Sequence, residues 1–322
     1  MYNNVTTSFW QGIRKFNPFP LSKSSFCRMN HFNASLVPKD FRPFRIGLVQ
    51  LASTANKDET LKNTCSQISK AVQNGSKMVV LPECFNSPYG NQYFNEYAET
   101  IEETSPTYKA LHSVAKELKI YVFGGSIPER KDGKLYNTSM IFNPYGNLIG
   151  IHRKIHLFDV DFPGKMTFRE SESLNSGNSM TIVETEFGKI GLGICYDIRF
   201  PELATIAARN GCSMMIYPGA FNLTTGPLHW ELLARARAVD NQIYVASCSP
   251  ARDVSASYHA WGHSTVVGPD GVVMSTMDEK PGIVYADIDP EHMASVRKSI
   301  SLYTQRRFDV YSETKPLKLN EN

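Results

Sequence analysis

From residue 44 onward the chain alternates two kinds of hydrophobic pattern. Short, nearly unbroken apolar runs at 44–51, 77–83, 120–125, 189–195, 213–217 and 242–248 read as buried strands. Between them lie stretches whose apolar positions recur every three or four residues. Leu61, Cys65, Ile68 and Val72 share one face of a helix over 58–73, stopped by Asn74-Gly75. Ser105-Pro106 supplies a cap and a first helical residue ahead of Leu111, Val114, Ala115 and Leu118. Further helices are predicted over 201–209, closed by Asn210-Gly211, and over 228–239. Asp132-Gly133, 144–147, 186–188 and 269–271 are turn signals. They predict strands over 134–142, 148–154 and 179–185 and a pair astride 269–271. The stretch 155–178 has no clear period and reads as loop. A strand over 282–288 and a short helix from about Pro290 complete the pattern. Strands alternating with helical crossovers, without a linker, predict one α/β domain over 44–289, followed by a C-terminal helix and tail over 290–322.

Composition adds limits. The 322 residues are 42% hydrophobic and 20% charged, an ordinary globular balance. No apolar run approaches the roughly 18 residues that span a bilayer, so no membrane partner is expected. Six scattered cysteines without a CxxC pair argue for a reducing compartment, against both a disulfide framework and a zinc ribbon. A formal net charge of +3 is no nucleic-acid signature. That charge is uneven: residues 1–43 hold six basic side chains and one acid, which leaves the remainder slightly acidic. This leader is rich in Ser, Asn and Phe, with Phe9, Ile13 and Phe16 at helical spacing beside Arg14 and Lys15. Its composition is that of a mitochondrial transit peptide. The alternatives are an unstructured extension, or Met29 as the working start of a cytoplasmic product.

Three chemically capable residues fall at equivalent places. Glu83, Lys154 and Cys195 each end a predicted strand, so parallel strands would bring a carboxylate, an ammonium and a thiol to one edge. Cys195 is also followed by Asp197, Arg199 and Glu202 at the approach to the helix opened by Pro201. A helix N-terminus there would favour the thiolate. Each residue has a plainer reading: a core cysteine, and solvated charges at strand ends. His152 and His156 have metal spacing only on a helix, and their segment reads as strand and loop, so no metal site is expected.

Leu-Pro-Glu83-Cys-Phe, His-Arg-Lys154-Ile-His-Leu-Phe-Asp and Gly-Ile-Cys195-Tyr-Asp-Ile-Arg-Phe-Pro-Glu together resemble the Glu-Lys-Cys motifs of the nitrilase (carbon–nitrogen hydrolase) superfamily. The resemblance covers about 44–310. The segments around Tyr89, Phe168-Arg-Glu170-Ser, Phe221–Thr225 and Trp261-Gly-His-Ser are similar to the omega-amidase branch. It implies a four-layer αββα sandwich that pairs as a homodimer through one helical layer. It also implies a small-molecule amide substrate and no cofactor. In that family's scheme Cys195 is the nucleophile, Glu83 the proton shuttle, and Lys154 with the Tyr196 N–H the oxyanion donors, while Glu170 orients Lys154 or assists Glu83. Arg199 would grip the free carboxylate of a dicarboxylic monoamide such as 2-oxoglutaramate or 2-oxosuccinamate, with Tyr89, Phe221 and Thr225 lining the rest of the pocket. A structural ion pair of Arg199 with Asp197 or Glu202 is the competing reading. Within the superfamily an N-carbamyl-amino-acid hydrolase or a nitrilase stays open. Outside it, the alternative is a catalytically idle interaction module, against which an intact triad speaks. Gly191-Leu-Gly193 lacks the third glycine and later acid of a dinucleotide fingerprint.

Overall fold

Apolar run 44–51 forms β1 (Phe44–Gln50), and α1 (Lys57–Gln73) carries the chain back to β2 (Met78–Val80), parallel to β1. A short α2 (Asn91–Tyr97) and then α3 (Pro106–Leu118) lead to β3 (Tyr121–Phe123), parallel to β2. A meander follows: β4 (Ile127–Lys131), β5 (Lys134–Phe142) and β6 (Leu148–Arg153). The hairpin β7 (Asp159–Phe162) and β8 (Met166–Arg169) stands apart from both large sheets. The second half runs β9 (Thr181–Thr185), β10 (Gly188–Leu192), α4 (Pro201–Arg209), β11 (Cys212–Pro218), α5 (Gly226–Asn241) and β12 (Tyr244–Cys248). It ends with β13 (Thr265–Val267), β14 (Val273–Thr276), β15 (Gly282–Ile288), α6 (Pro290–Ser299) and α7 (Leu302–Gln305). This computed structural model describes residues 36–164, 166–307 and 309–311.

The strands form a seven-stranded sheet, β15-β1-β2-β3-β5 with β4 and β6 also on β5, and a six-stranded sheet, β14-β13-β12-β11-β10-β9. Strand periodicity decides the layering. Ile46, Leu48, Met78, Val80 and Phe123 point to the same cluster as Ile190, Leu192, Met214 and Ile216 of the other sheet. The alternate positions Val79, Val122 and Phe142 pack instead on Leu61, Ile68 and Ala71 of α1 and Leu111, Val114 and Ala115 of α3. On the second sheet Gly191 faces α4, where an added Cβ would stand 2.9 Å from that of Ala207. The result is a four-layer αββα sandwich, helices outside and two sheets face to face. Each fully buried Leu or Ile contributes about 1.5–3 kcal/mol over an exposed one, so this double interior dominates the stability.

Several boundaries differ from those the sequence predicts. The packed chain begins before Phe44: Phe41 is buried, the Arg42 N–H donates to the Phe187 carbonyl, and Arg297 Nη1 donates to the Leu36 carbonyl. The rest of the leader lies outside the described residues, as does the tail beyond 311. The stretch 155–178 contains the β7–β8 hairpin, whose four-residue strands are too short to show a period. The seven-residue α2, entered from Gly90, escaped detection for the same reason. None of the three candidate residues ends a strand. Pro82, which has no N–H for a ladder, separates Glu83 from β2, Lys154 follows β6, and Cys195 opens a 3-10 turn (Cys195–Arg199) beyond β10. Among the described residues no helix is long and apolar enough to cross a membrane.

Candidate active site

Glu83 sits in a turn stapled to the chain after β3: the Cys84 N–H donates to Ser126 Oγ at 3.0 Å and the Phe85 N–H to the Ser126 carbonyl at 3.1 Å. Its Oε1 accepts from Asn137 Nδ2 at 2.8 Å and from Lys154 Nζ at 3.0 Å, and its Oε2 from the Ala220 N–H at 2.7 Å. Lys154 is fixed through its backbone, its N–H donating to the Asn137 carbonyl and its carbonyl accepting from the Gly177 N–H. Lys154 Nζ also lies 2.8 Å from Glu170 Oε2, which accepts from the Phe158 N–H. All three charged side chains are buried. Burial opposes the Lys154 charge, but Glu170 and Glu83 more than offset it and hold the ammonium well above the ordinary lysine range. Burial pushes Glu170 up, Lys154 pulls against it, and the Glu170 carboxyl ends above its usual value.

Cys195 meets this cluster from the other sheet. Its thiol stands close enough to Glu83 for the carboxylate to raise its pKa, and its φ of +48° is the left-handed conformation, which costs a non-glycine residue about 1–2 kcal/mol. Asp197 holds that turn: its Oδ2 accepts from the Ile194 N–H at 2.8 Å and stands 3.2 Å from His152 Nε2. Its Oδ1 accepts from the His156 N–H at 2.9 Å and lies 2.8 Å from His156 Nδ1. The two histidines flank Lys154 on alternate residues, so one carboxylate ties the Cys195 turn to the Lys154 segment. Burial works against the Asp197 charge, but the hydrogen bonds from His152 and His156 hold it far below the usual carboxylate range. Asp197 engages the histidines and not Arg199, against that half of the competing ion-pair reading. One expectation is corrected here. The Cys195 thiol is pushed well above its ordinary value, by burial first and then by the Glu83 charge, so the resting group is a neutral thiol beside a base. The helix that was to favour the thiolate, α4, starts only at Pro201.

A cavity of about 330 Å³ reaches Glu83 between Tyr89, Tyr93, Ala220, Asp253 and Tyr258. The Tyr89 hydroxyl is buried and has no hydrogen-bond partner among the described residues, and its ring stands 4.4 Å from that of Tyr258. Arg199 is half-buried, with its guanidinium 5.0 Å from the Phe221 ring and 5.4 Å from the Tyr196 ring. Its Nη1 lies 3.1 Å from His229 Nδ1, and among the described residues no carboxylate is within ion-pair distance of it. Burial lowers its pKa. Phe221 is buried, edge-on to Trp230. Thr225 is different: its hydroxyl and N–H both donate to Asn222 Oδ1, within the turn that opens α5. Tyr196 rests its ring on Phe158 and Phe200. Asn137, His229 and Tyr258 escaped the sequence analysis, as did the supporting role of His152, His156 and Asp197, which it read otherwise. Only the alternation of His152, Lys154 and His156, one face of an extended segment, carried a usable signal. Among the described residues there is no cluster able to hold a metal ion.

A carbon–nitrogen hydrolase family model matches residues 45–298. Hydrolase C26A3.11 of Schizosaccharomyces pombe is 66% identical over 308 residues, 95% of either chain. Omega-amidase NIT2 of Homo sapiens is 55% identical over 269 residues, 84% of this chain and 97% of that one. Among solved structures, Saccharomyces cerevisiae Nit3, a member of branch 10 of the nitrilase superfamily, aligns with a TM-score of 0.78 at 47% identity, over 84% of this chain and 100% of that one.

Asp197→Asn tests the tie between the two segments. Removing a buried charge with hydrogen-bonded partners is expected to cost about 2–4 kcal/mol of stability, read as a lower melting temperature. Because the Asp197 pKa is depressed on folding, its contribution is complete above the unfolded value near 3.9 and is lost as pH falls below it. The variant's melting temperature should therefore fall less steeply on acidification than the parent's; parallel curves would exclude this role.

Proposed function

Because the chain belongs to the carbon–nitrogen hydrolase family, we propose that it works as an omega-amidase, releasing ammonia from the amide of dicarboxylic acid monoamides such as 2-oxoglutaramate and 2-oxosuccinamate. The observation that carries the substrate class is Arg199: a half-buried guanidinium near Cys195, walled by two aromatic rings and without a carboxylate of its own. Such a group is a receptor for a substrate carboxylate. The Tyr89 hydroxyl, without a partner among the described residues, supplies a polar contact in the cavity that reaches Glu83, a cavity that Arg199 does not itself line.

In this scheme the substrate carbonyl carbon approaches the Cys195 sulfur. Glu83, whose carboxylate acts on the thiol at close range, takes its proton as the carbon–sulfur bond forms. A thiol held neutral until that moment avoids a buried thiolate beside a carboxylate. The tetrahedral oxyanion is met by Lys154, kept charged by Glu170, and by the Tyr196 N–H; one such donor is worth about 3 kcal/mol. Glu83 then passes the proton to the departing nitrogen, ammonia leaves, and a thioester remains. Water, deprotonated by Glu83, attacks the thioester, and the sulfur recovers its proton as the dicarboxylate departs. In an interior from which water is largely excluded, Glu170 serves to keep the Lys154 ammonium fixed and charged, so no reorganisation is needed as the oxyanion forms.

Two further readings accompany the chemistry. Leu228, Leu232 and Val239 make an exposed apolar stripe along α5, near exposed Ile206 on α4, which supports a homodimer through this helical layer. The basic, acid-poor leader supports a mitochondrial address.

Ammonia release measured on 2-oxoglutaramate and on a neutral amide of similar length tests the substrate class. Cys195→Ala should release none. Arg199→Lys should lose about tenfold or more in kcat/KM on the carboxylated amide and much less on the neutral one; equal losses would discard the carboxylate clamp. Leu232→Glu should halve the mass seen by light scattering, and a parent protein that is itself monomeric would refute the dimer. A fluorescent protein fused behind residues 1–43 should reach mitochondria; a diffuse cytosolic signal would refute that address.

A further inference from the structure

We propose that Tyr258 is a positioning residue for Glu83, acting through the segment 219–222; the proposal rests on Glu83 being the base of the amidase reaction above. The Tyr258 hydroxyl donates to the Ala220 carbonyl, and the Ala220 N–H donates to Glu83 Oε2 at 2.7 Å. The other carboxylate oxygen is already engaged by Lys154 and Asn137. The direction of Oε2, and so of a lone pair that receives a proton, therefore depends on how Ala220 is held.

Ala220 has only a methyl group, so neighbouring backbone must set its orientation. On one side Gly219 donates its N–H to the Cys248 carbonyl, and an added Cβ there would stand 3.2 Å from Cys195 Cα. On the other side runs the segment 258–261. Asn222 bridges Ala260 in antiparallel fashion, and the Trp261 N–H donates to the Phe221 carbonyl at 2.6 Å. Tyr258 adds a side-chain donor to this contact, and burial pushes its phenol well above the ordinary range, so it stays a donor at neutral pH. Its ring also walls the cavity, 4.4 Å from Tyr89, so the same residue borders the substrate space and braces the base.

Tyr258→Phe keeps the ring against Tyr89 and removes the donor. Weakening the Ala220 N–H bond leaves the carboxylate oxygen less firmly aimed at the thiol proton. The other groups facing Glu83, namely Lys154, Glu170, Cys195 and Tyr89, are unchanged by the substitution. The expected result is a kcat about tenfold lower with KM little altered. A second readout needs no amide turnover: alkylation of Cys195 by iodoacetamide at neutral pH should slow in the variant, because Glu83 accepts the thiol proton in that reaction too. Slowed alkylation in a protein that hydrolyses no omega-amide would uphold the positioning role and remove the substrate reading. An alkylation rate equal to the parent's, with or without a lower kcat or melting temperature, would overturn the proposal.

Discussion

One ammonium shared by two carboxylates, out of reach of water, is the interaction on which the rest of the site depends. Burying these three charges without compensation would cost several kcal/mol for each ion. They survive because each has fixed donors or acceptors: Asn137 and the Ala220 N–H on Glu83, the Phe158 N–H on Glu170, and both carboxylates on Lys154. The cluster carries one negative charge more than positive. That excess raises the Lys154 pKa and makes a neighbouring thiolate unfavourable, so the resting state of Cys195 follows from the electrostatics of residues drawn from the other half of the chain.

A second carboxylate, Asp197, solves a geometric problem. Cys195 sits in a left-handed turn and Lys154 just past the end of a strand; neither place is held by a ladder of hydrogen bonds. Asp197 receives the Ile194 N–H from the turn and both histidines from the lysine's segment, and so fixes the distance between the Cys195 thiol and the Lys154 ammonium. Rigid positions for side chains that lie off regular structure are what such a buried hydrogen-bonded charge supplies.

The αββα packing makes this arrangement possible. Glu83 and Lys154 follow strands of the first sheet, Cys195 and Ala220 strands of the second, and Glu170 lies in the turn that follows the separate β7–β8 hairpin. Face-to-face stacking of the sheets brings their end loops together at one rim. The cavity opens there, under the loop that carries Asp253 and Tyr258.

The sequence by itself determined the alternation of strands and amphipathic helices, because periods of two and three to four are written locally in residues such as Ile46, Leu48 and Leu61, Ile68. It also marked Glu83, Lys154, Cys195 and Glu170, since an acid, an amine and a thiol in those motifs have a recognisable order and spacing. Tertiary structure alone decided which side chains support them. Asn137, His229 and Tyr258 are ordinary polar residues whose partners lie far off in the chain, and nothing local distinguishes them. It also decided the ionisation of Cys195: nearness to a helix start pointed to a thiolate, but burial and the Glu83 charge, both products of two sheets closing on each other, outweigh a dipole that begins six residues later.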